Sequence, residues 1–151
     1  ISQKNIILEA KKRNFNTKRI IFADRIENIE DHLARLELAD ICLDTFPYNA
    51  HSTTYDNIRA GLPMVTMMGN SFASRVAASI YSSIKINELI AENEKDYEKI
   101  AVELGTDSAK LNNLKNKIKS KIKDCISINS LELTRNLEEI YIQILKRKNN
   151  F

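Results

Sequence analysis

The chain has 151 residues, 43% hydrophobic and 28% charged, which is enough for one buried core and has the balance of a globular domain. Its 23 basic and 20 acidic side chains are interspersed and leave a net charge of only +3, so the composition argues against a nucleic-acid partner. No apolar run approaches the roughly 20 residues needed to span a bilayer and no targeting segment is recognisable, so a cytoplasmic protein without a membrane partner is expected. Cys42 and Cys125 have no companion Cys or His at metal-ligand spacing, so both are expected to be core thiols. The chain opens on Ile1 instead of a methionine, as a piece of a longer protein would.

In chain order, residues 2–14 read as a helix with Ile6, Ile7 and Ala10 on one face and Lys11, Lys12 and Arg13 at its C-terminal end, where cations suit the helix dipole. Arg19 to Phe22 (RIIF) is a short β-branched and aromatic run, expected to be a strand. Residues 30–39 place Leu33, Leu36 and Ala39 at helical spacing, and residues 41–43 form a continuous apolar strand covered on both faces. A polar loop, residues 45–52, then leads into a helix that ends at Gly61 and Pro63. Residues 64–67 (MVTM) are another apolar strand, Gly69 and Asn70 a turn, and residues 72–83 a helix rich in small residues.

Strands alternating with helices require crossover connections, which give a parallel sheet with flanking helices. Three strands are few for a doubly wound domain, so the sheet looks like the second half of one. From residue 87 onward only helices are expected, at 89–92, 96–104 and 109–126, with Gly105 as a stop and Thr106 and Asp107 as a new cap. The last helix, from Leu133, carries Leu137, Ile140, Tyr141, Ile144 and Leu145 on one face and is expected to cover apolar surface.

The sharpest functional signal is the strand-to-helix junction LDTFPYNAHSTTYDNIRAGLP, residues 43–63. First-turn N–H groups of a helix lack intrahelical partners and sit at the positive end of its dipole, so they favour an anion. His51, Ser52, Thr53 and Thr54 bring an imidazole and three hydroxyls to that point, and Asp56 follows where a carboxylate accepts from a sugar hydroxyl; together these point to a nucleotide diphosphate. The rival reading is a capping box of Thr53 and Asp56. His32 and Arg35, three apart on the preceding helix, either contact a nucleobase or form a solvated face paired with Glu30 and Asp31.

Phe46 and Tyr48 read as packing residues. Ser74 and Arg75 either face the crevice or sit in a helix whose small residues permit close approach to the sheet. The lysines between Lys110 and Lys123 read as a solvated face, since no aromatic platform is interleaved with them. Asp44 and Asp56 are the only acids near the crevice and neither has an evident partner, so no paired-carboxylate hydrolase is indicated. No serine lies in a nucleophile-elbow context. The chain has a binding site without an evident base.

RIIF, EDHLAR, LADICLDTFPYNAHSTTYDNIRAGLPMVT and GNSFASRVAAS, in this order and spacing, resemble the C-terminal catalytic half of the O-linked N-acetylglucosamine transferases, glycosyltransferase family 41. The resemblance is specific from about residue 18 to 79 and looser beyond. It implies a partial C-terminal Rossmann-like domain of a GT-B fold, with residues 1–86 the UDP-binding part and residues 87–151 a helical segment packing on it. It implies that His51, Ser52 and Thr53 line the pyrophosphate of UDP-N-acetylglucosamine, that Asp56 binds the ribose, and that His32 and Arg35 contact the uracil. No metal or other cofactor is expected, because such enzymes meet the leaving diphosphate with amides and side chains. The family transfers N-acetylglucosamine to Ser or Thr of proteins, the acceptor being chosen by upstream regions. This chain departs from the family in lacking the earlier strands with their loop lysine and the N-terminal catalytic domain, so it is expected to be inactive alone. The terminal helix and an exposed sheet edge are then expected routes to a homodimer. The alternative from another class is a non-catalytic binding or assembly module that keeps the fold.

Overall fold

The computed structural model describes residues 2–122 and 130–148. Its elements are α1 (Ser2–Lys12), a 3-10 turn (Thr17–Arg19), α2 (Ile29–Glu37), β1 (Cys42–Leu43), α3 (Ser52–Ala60), β2 (Met64–Met67), α4 (Val76–Ser83), a second 3-10 turn (Asn87–Leu89), β3 (Ile90–Ala91), α5 (Glu94–Thr106), α6 (Ser108–Lys121) and α7 (Ser130–Lys148). The three strands form a parallel sheet in the order β1-β2-β3, with Cys42 opposite Met64 and Thr66 opposite Ile90. The crossovers between them are α3 and α4, so the sheet is a βαβαβ unit.

Local sequence explains most of the boundaries. All four residues of β2 are buried, as a central parallel strand requires, and its MVTM run is apolar except for one threonine. Asn28 caps α2 by accepting from Glu30 N and Asp31 N at 2.8 and 3.0 Å. Gly61 ends α3 in the left-handed region at φ 68°, and Leu62 N closes the cap on Asn57 O at 2.8 Å. Ile58, Met64, Val65, Tyr81, Ile86 and Leu89 form the centre of the core, joined by Leu104 of α5 and by Leu111, Leu114 and Ile118 of α6. Helix α5 therefore packs on β2 and β3, and α6 packs on α3 and α5 beside the same core.

Four sequence expectations are corrected. Residues 20–22 of the RIIF run form no strand; Ile21 is 85% exposed, and an isolated extended segment gains nothing without a ladder partner. The third strand instead lies at Ile90–Ala91, within a stretch expected to be purely helical, so the sheet extends past residue 86. Gly105 does not stop α5, which runs on to Thr106; Asp107 then caps α6 by accepting from Lys110 N at 2.9 Å. Helix α4 begins at Val76 instead of 72, because Ser71 and Ser74 fold residues 71–74 into a turn in which Ser71 N donates to Ser74 Oγ at 3.1 Å.

The apolar stripe of α7 is also uncovered. Leu137, Ile140, Tyr141, Ile144 and Leu145 are 42 to 61% exposed, and no α7 residue is buried against the described part of the chain. The expected end of the preceding helix at 126, and Cys125, lie outside the described residues. Cys42 is half-buried against the core, and burial raises its thiol pKa above the ordinary cysteine value.

Candidate functional site

The site begins where β1 runs out. Asp44, the next residue, folds the following loop around its carboxylate: Thr45 N and Ala50 N donate to Oδ1 at 2.9 and 2.8 Å, while Asn49 Nδ2 and Thr66 Oγ1 donate to Oδ2 at 2.7 and 2.6 Å. Thr45 Oγ1 donates to Tyr48 O at 2.6 Å and tightens the same turn. Asn49 is 1% exposed; its Nδ2 also reaches Thr66 Oγ1 at 2.9 Å and Met67 O at 3.2 Å, which ties the loop to β2. Asn49 N donates to Ala73 O at 3.1 Å and holds the loop against the one after β2.

That loop delivers the chain into α3 at His51, the N-cap residue, which makes no side-chain capping bond. Thr53 is therefore the second helical residue, and the capping box of Thr53 and Asp56 does not form; the pair lies two residues out of register with the helix start. Thr54 is accounted for structurally, being buried and donating to Ala50 O at 2.9 Å. Ser52 and Thr53 are exposed, their N–H groups precede any intrahelical acceptor, and no acidic residue stands in this first turn. The end of the helix keeps its positive dipole uncompensated.

The imidazole of His51 is fixed by rings instead of hydrogen bonds. It stacks on Tyr48 with centroids 5.1 Å apart and planes 17° from parallel, and Phe72 meets it edge-on at 6.0 Å. Its Nε2 is buried with no hydrogen-bond partner among the described residues. Such an atom is costly in the free protein and is ready to pair with an incoming group.

His51, Ser52 and Thr53 line a cleft of about 550 Å³ whose other wall includes His32 and Leu36 of α2. His32 Nε2 lies 3.7 Å from Asp56 Oδ2 on α3, and Arg35 Nη2 lies 3.4 Å from His32 Nδ1. Arg35 Nη1 donates to Asp24 O at 2.5 Å, which draws the guanidinium back toward the segment before α2. The local pairing of Arg35 with Glu30 or Asp31 is thus not the arrangement found. Of the six residues singled out from the sequence, His32, His51, Ser52 and Thr53 line the cleft, and Asp56 and Arg35 lie next to it, each in contact with His32.

Sequence reasoning missed the group that shapes the loop. Asp44 is not an unpartnered acid, and its oxygens are the meeting point of Thr45, Asn49, Ala50 and Thr66. Tyr97 of α5 donates its hydroxyl to Asp44 O at 2.9 Å; burial, and then the Asp44 charge, push that phenol up to about 12. An aspartate directly after an apolar strand is a turn-forming signal. The partners 22 and 53 residues away carry none. Among the described residues no three His, Cys, Asp or Glu side chains gather as a metal site, and no helix is long and apolar enough to cross a membrane.

Comparison with known proteins gives the family and the fold. The family described as Glycosyl transferase family 41 matches residues 1–137. Over 107 residues, 71% of this chain, the sequence is 42% identical to a UDP-N-acetylglucosamine–peptide N-acetylglucosaminyltransferase of Caenorhabditis elegans. Over 117 residues, 78% of the chain, it is 34% identical to a probable UDP-N-acetylglucosamine–peptide N-acetylglucosaminyltransferase SPINDLY of Solanum lycopersicum. The chain spans only 9% and 13% of those two relatives. A solved Thermobaculum terrenum O-GlcNAc transferase mutant superposes with a TM-score of 0.79 over 91% of this chain and 27% of its own, at 24% identity. That likeness shows the shared fold, here the expected partial GT-B domain with its parallel sheet and flanking helices. With nine-tenths of its length matched by one family, the chain belongs to glycosyl transferase family 41.

Proposed function

We propose that this chain is the UDP-sugar-binding portion of a protein O-glycosyltransferase that moves N-acetylglucosamine from UDP-N-acetylglucosamine to Ser or Thr of proteins. The observation that carries the reading is the buried, unpartnered His51 Nε2 beside the open first turn of α3, at the carboxyl end of β1. In parallel α/β sheets that is where ligands bind. The names borne by the relatives supply the sugar nucleotide and the acceptor class.

In this reading the Ser52 and Thr53 amides, their hydroxyls and His51 face the diphosphate. As the bond from the sugar to the diphosphate breaks, negative charge grows on the leaving oxygen, and donors already aimed there stabilise it without reorganising. The groups meeting that charge are amides and side chains, and no resident metal is proposed. His32 and Arg35 hold the uracil and Asp56 the ribose. The acceptor hydroxyl and the group that takes its proton belong to other parts of a longer enzyme working in the cytoplasm, so the 151-residue chain binds the donor and does not turn over.

Titrating UDP, UMP and ATP against isotope-labelled protein, followed by amide shifts, tests this. Saturable, UDP-selective shifts at His32 and across residues 51–56 are expected. No response at millimolar UDP overturns the reading.

A further inference from the structure

Asp44 presents a physical puzzle. A carboxylate lines the same cleft as the proposed anion site, where an unshielded negative charge would repel a diphosphate. Its surroundings resolve it. Both oxygens are saturated, each by two donors, and two of those four are backbone N–H groups of the loop itself, at Thr45 and Ala50. The side chains on the second oxygen come from the loop (Asn49) and from the central strand (Thr66), while Tyr97 grips the Asp44 carbonyl from α5. One carboxylate therefore fixes the loop's start, its end and its distance from the sheet. The residue after Ala50 is His51, whose imidazole is otherwise placed by its ring contacts with Tyr48 and Phe72.

We propose that Asp44 is a positioning residue for the diphosphate: by collecting four donors it sets the path of residues 45–50 and so aims His51 and the first turn of α3 at the anion. This rests on the UDP reading above and assigns Asp44 no contact with the ligand. It predicts an effect opposite in sign to that of a charge merely lining the cleft. Removing a repelling carboxylate would tighten diphosphate binding, whereas removing the loop's organiser weakens it.

Two substitutions grade the effect. Asp44→Asn keeps an oxygen for the Thr45 and Ala50 N–H groups, and the Thr66 hydroxyl rotates to meet the new amide, leaving only the Asn49 contact opposed. Asp44→Ala leaves the backbone donors of the loop without their acceptor. UDP affinity should fall about threefold for Asn and about tenfold or more for Ala, so that the conservative variant recovers part of the loss. Uridine has no phosphate and is held through α2 and through Asp56, which lies beyond the first turn of α3, so its affinity should stay within twofold of wild type in both variants. A general loss of structure would weaken both ligands together.

UDP affinity unchanged or increased in either variant, or an equal loss of uridine affinity, overturns the assignment. If Asp44→Ala does not fold, Asp44→Asn and the volume-preserving Thr66→Val decide, each expected to weaken UDP alone. Should the wild-type chain bind neither ligand, the UDP reading fails separately. The role of Asp44 is then read from amide hydrogen exchange. Ala50 N–H should lose its protection in Asp44→Ala and keep it in Asp44→Asn, and equal protection in wild type and Asp44→Ala overturns the proposal.

Discussion

Replacing His51 by alanine separates a ligand-binding histidine from a packing one, because the two predict different pairs of changes. In the free protein the imidazole stacks on Tyr48 at 5.1 Å and meets Phe72 at 6.0 Å, ring contacts worth about 0.5–1.5 kcal/mol. Against this stands the buried Nε2 without a partner, which costs about 1–3 kcal/mol. The two nearly cancel. His51→Ala should therefore leave the stability of the unliganded protein within about 1 kcal/mol of wild type, or raise it. Binding behaves otherwise. A hydrogen bond from the imidazole to a phosphate oxygen is charge-assisted and contributes about 1.5–3 kcal/mol. Its loss weakens UDP by roughly 10- to 150-fold. Uridine affinity should not change, since His51 stands at α3 while the proposed base contacts are on α2. Isothermal titration with both ligands, paired with urea denaturation of the free protein, reads all three quantities. A UDP affinity within twofold of wild type refutes the reasoning, as does a clear loss of stability in the free protein.

Tyr81→Phe tests the core: Tyr81 is fully buried and its hydroxyl accepts from Met64 N at 3.2 Å, a β2 donor that lies before the pairing with β3 begins. Leaving that N–H unpaired should cost about 1–3 kcal/mol and lower Tm by roughly 2 to 12 °C without altering UDP affinity, and an unchanged melting curve would show that another group takes over. Glu88 supplies a pH dependence. Partial burial alone would raise its carboxyl, but the Lys117 ammonium bonded to it more than offsets this and holds the pKa below the ordinary glutamate value. A carboxyl depressed in the folded state adds stability above its unfolded pKa, near 4.5, and loses it as the pH falls through the folded value. Because the pair is largely exposed, Glu88→Gln should cost only a few tenths of a kcal/mol at pH 7, and the difference should shrink as the pH falls below 4.5 and vanish below the folded value. Denaturation of the two proteins across that range checks it; a gap that widens in acid would mean the sign is wrong.

Much of the site's local framework was legible in the residues because it depends on near neighbours. The MVTM run is apolar but for Thr66 and buried on both faces, as a central strand must be, and Gly61 stops α3 because its left-handed backbone suits glycine. Ser52 and Thr53 were legible as a first turn because an apolar strand, a polar loop and a helical period meet there. Ile90–Ala91 was not legible, since two residues cannot show a period of two. RIIF misled for the converse reason: it has strand composition and no neighbour to pair with. Gly105 misled because a single glycine weakens a helix by only about 1 kcal/mol, which the neighbouring α6 and β2 contacts of α5 offset.

The sequence by itself determined the class of fold, the order of β1, α3 and β2, and the family, all of which follow from patterns within a few residues or from motif order along the chain. Only the tertiary structure decided that Asp44 is saturated by donors, that Thr66 and Tyr97 reach it from 22 and 53 residues away, and that His32 meets Asp56 across two helices. It also decided that the capping box fails and that, among the described residues, His51 Nε2 is buried without a partner and the stripe of α7 lies open. The physical reason is the same in each case. A hydrogen bond or a buried face is a property of two surfaces, and the chain writes each of them without reference to where the other will be folded.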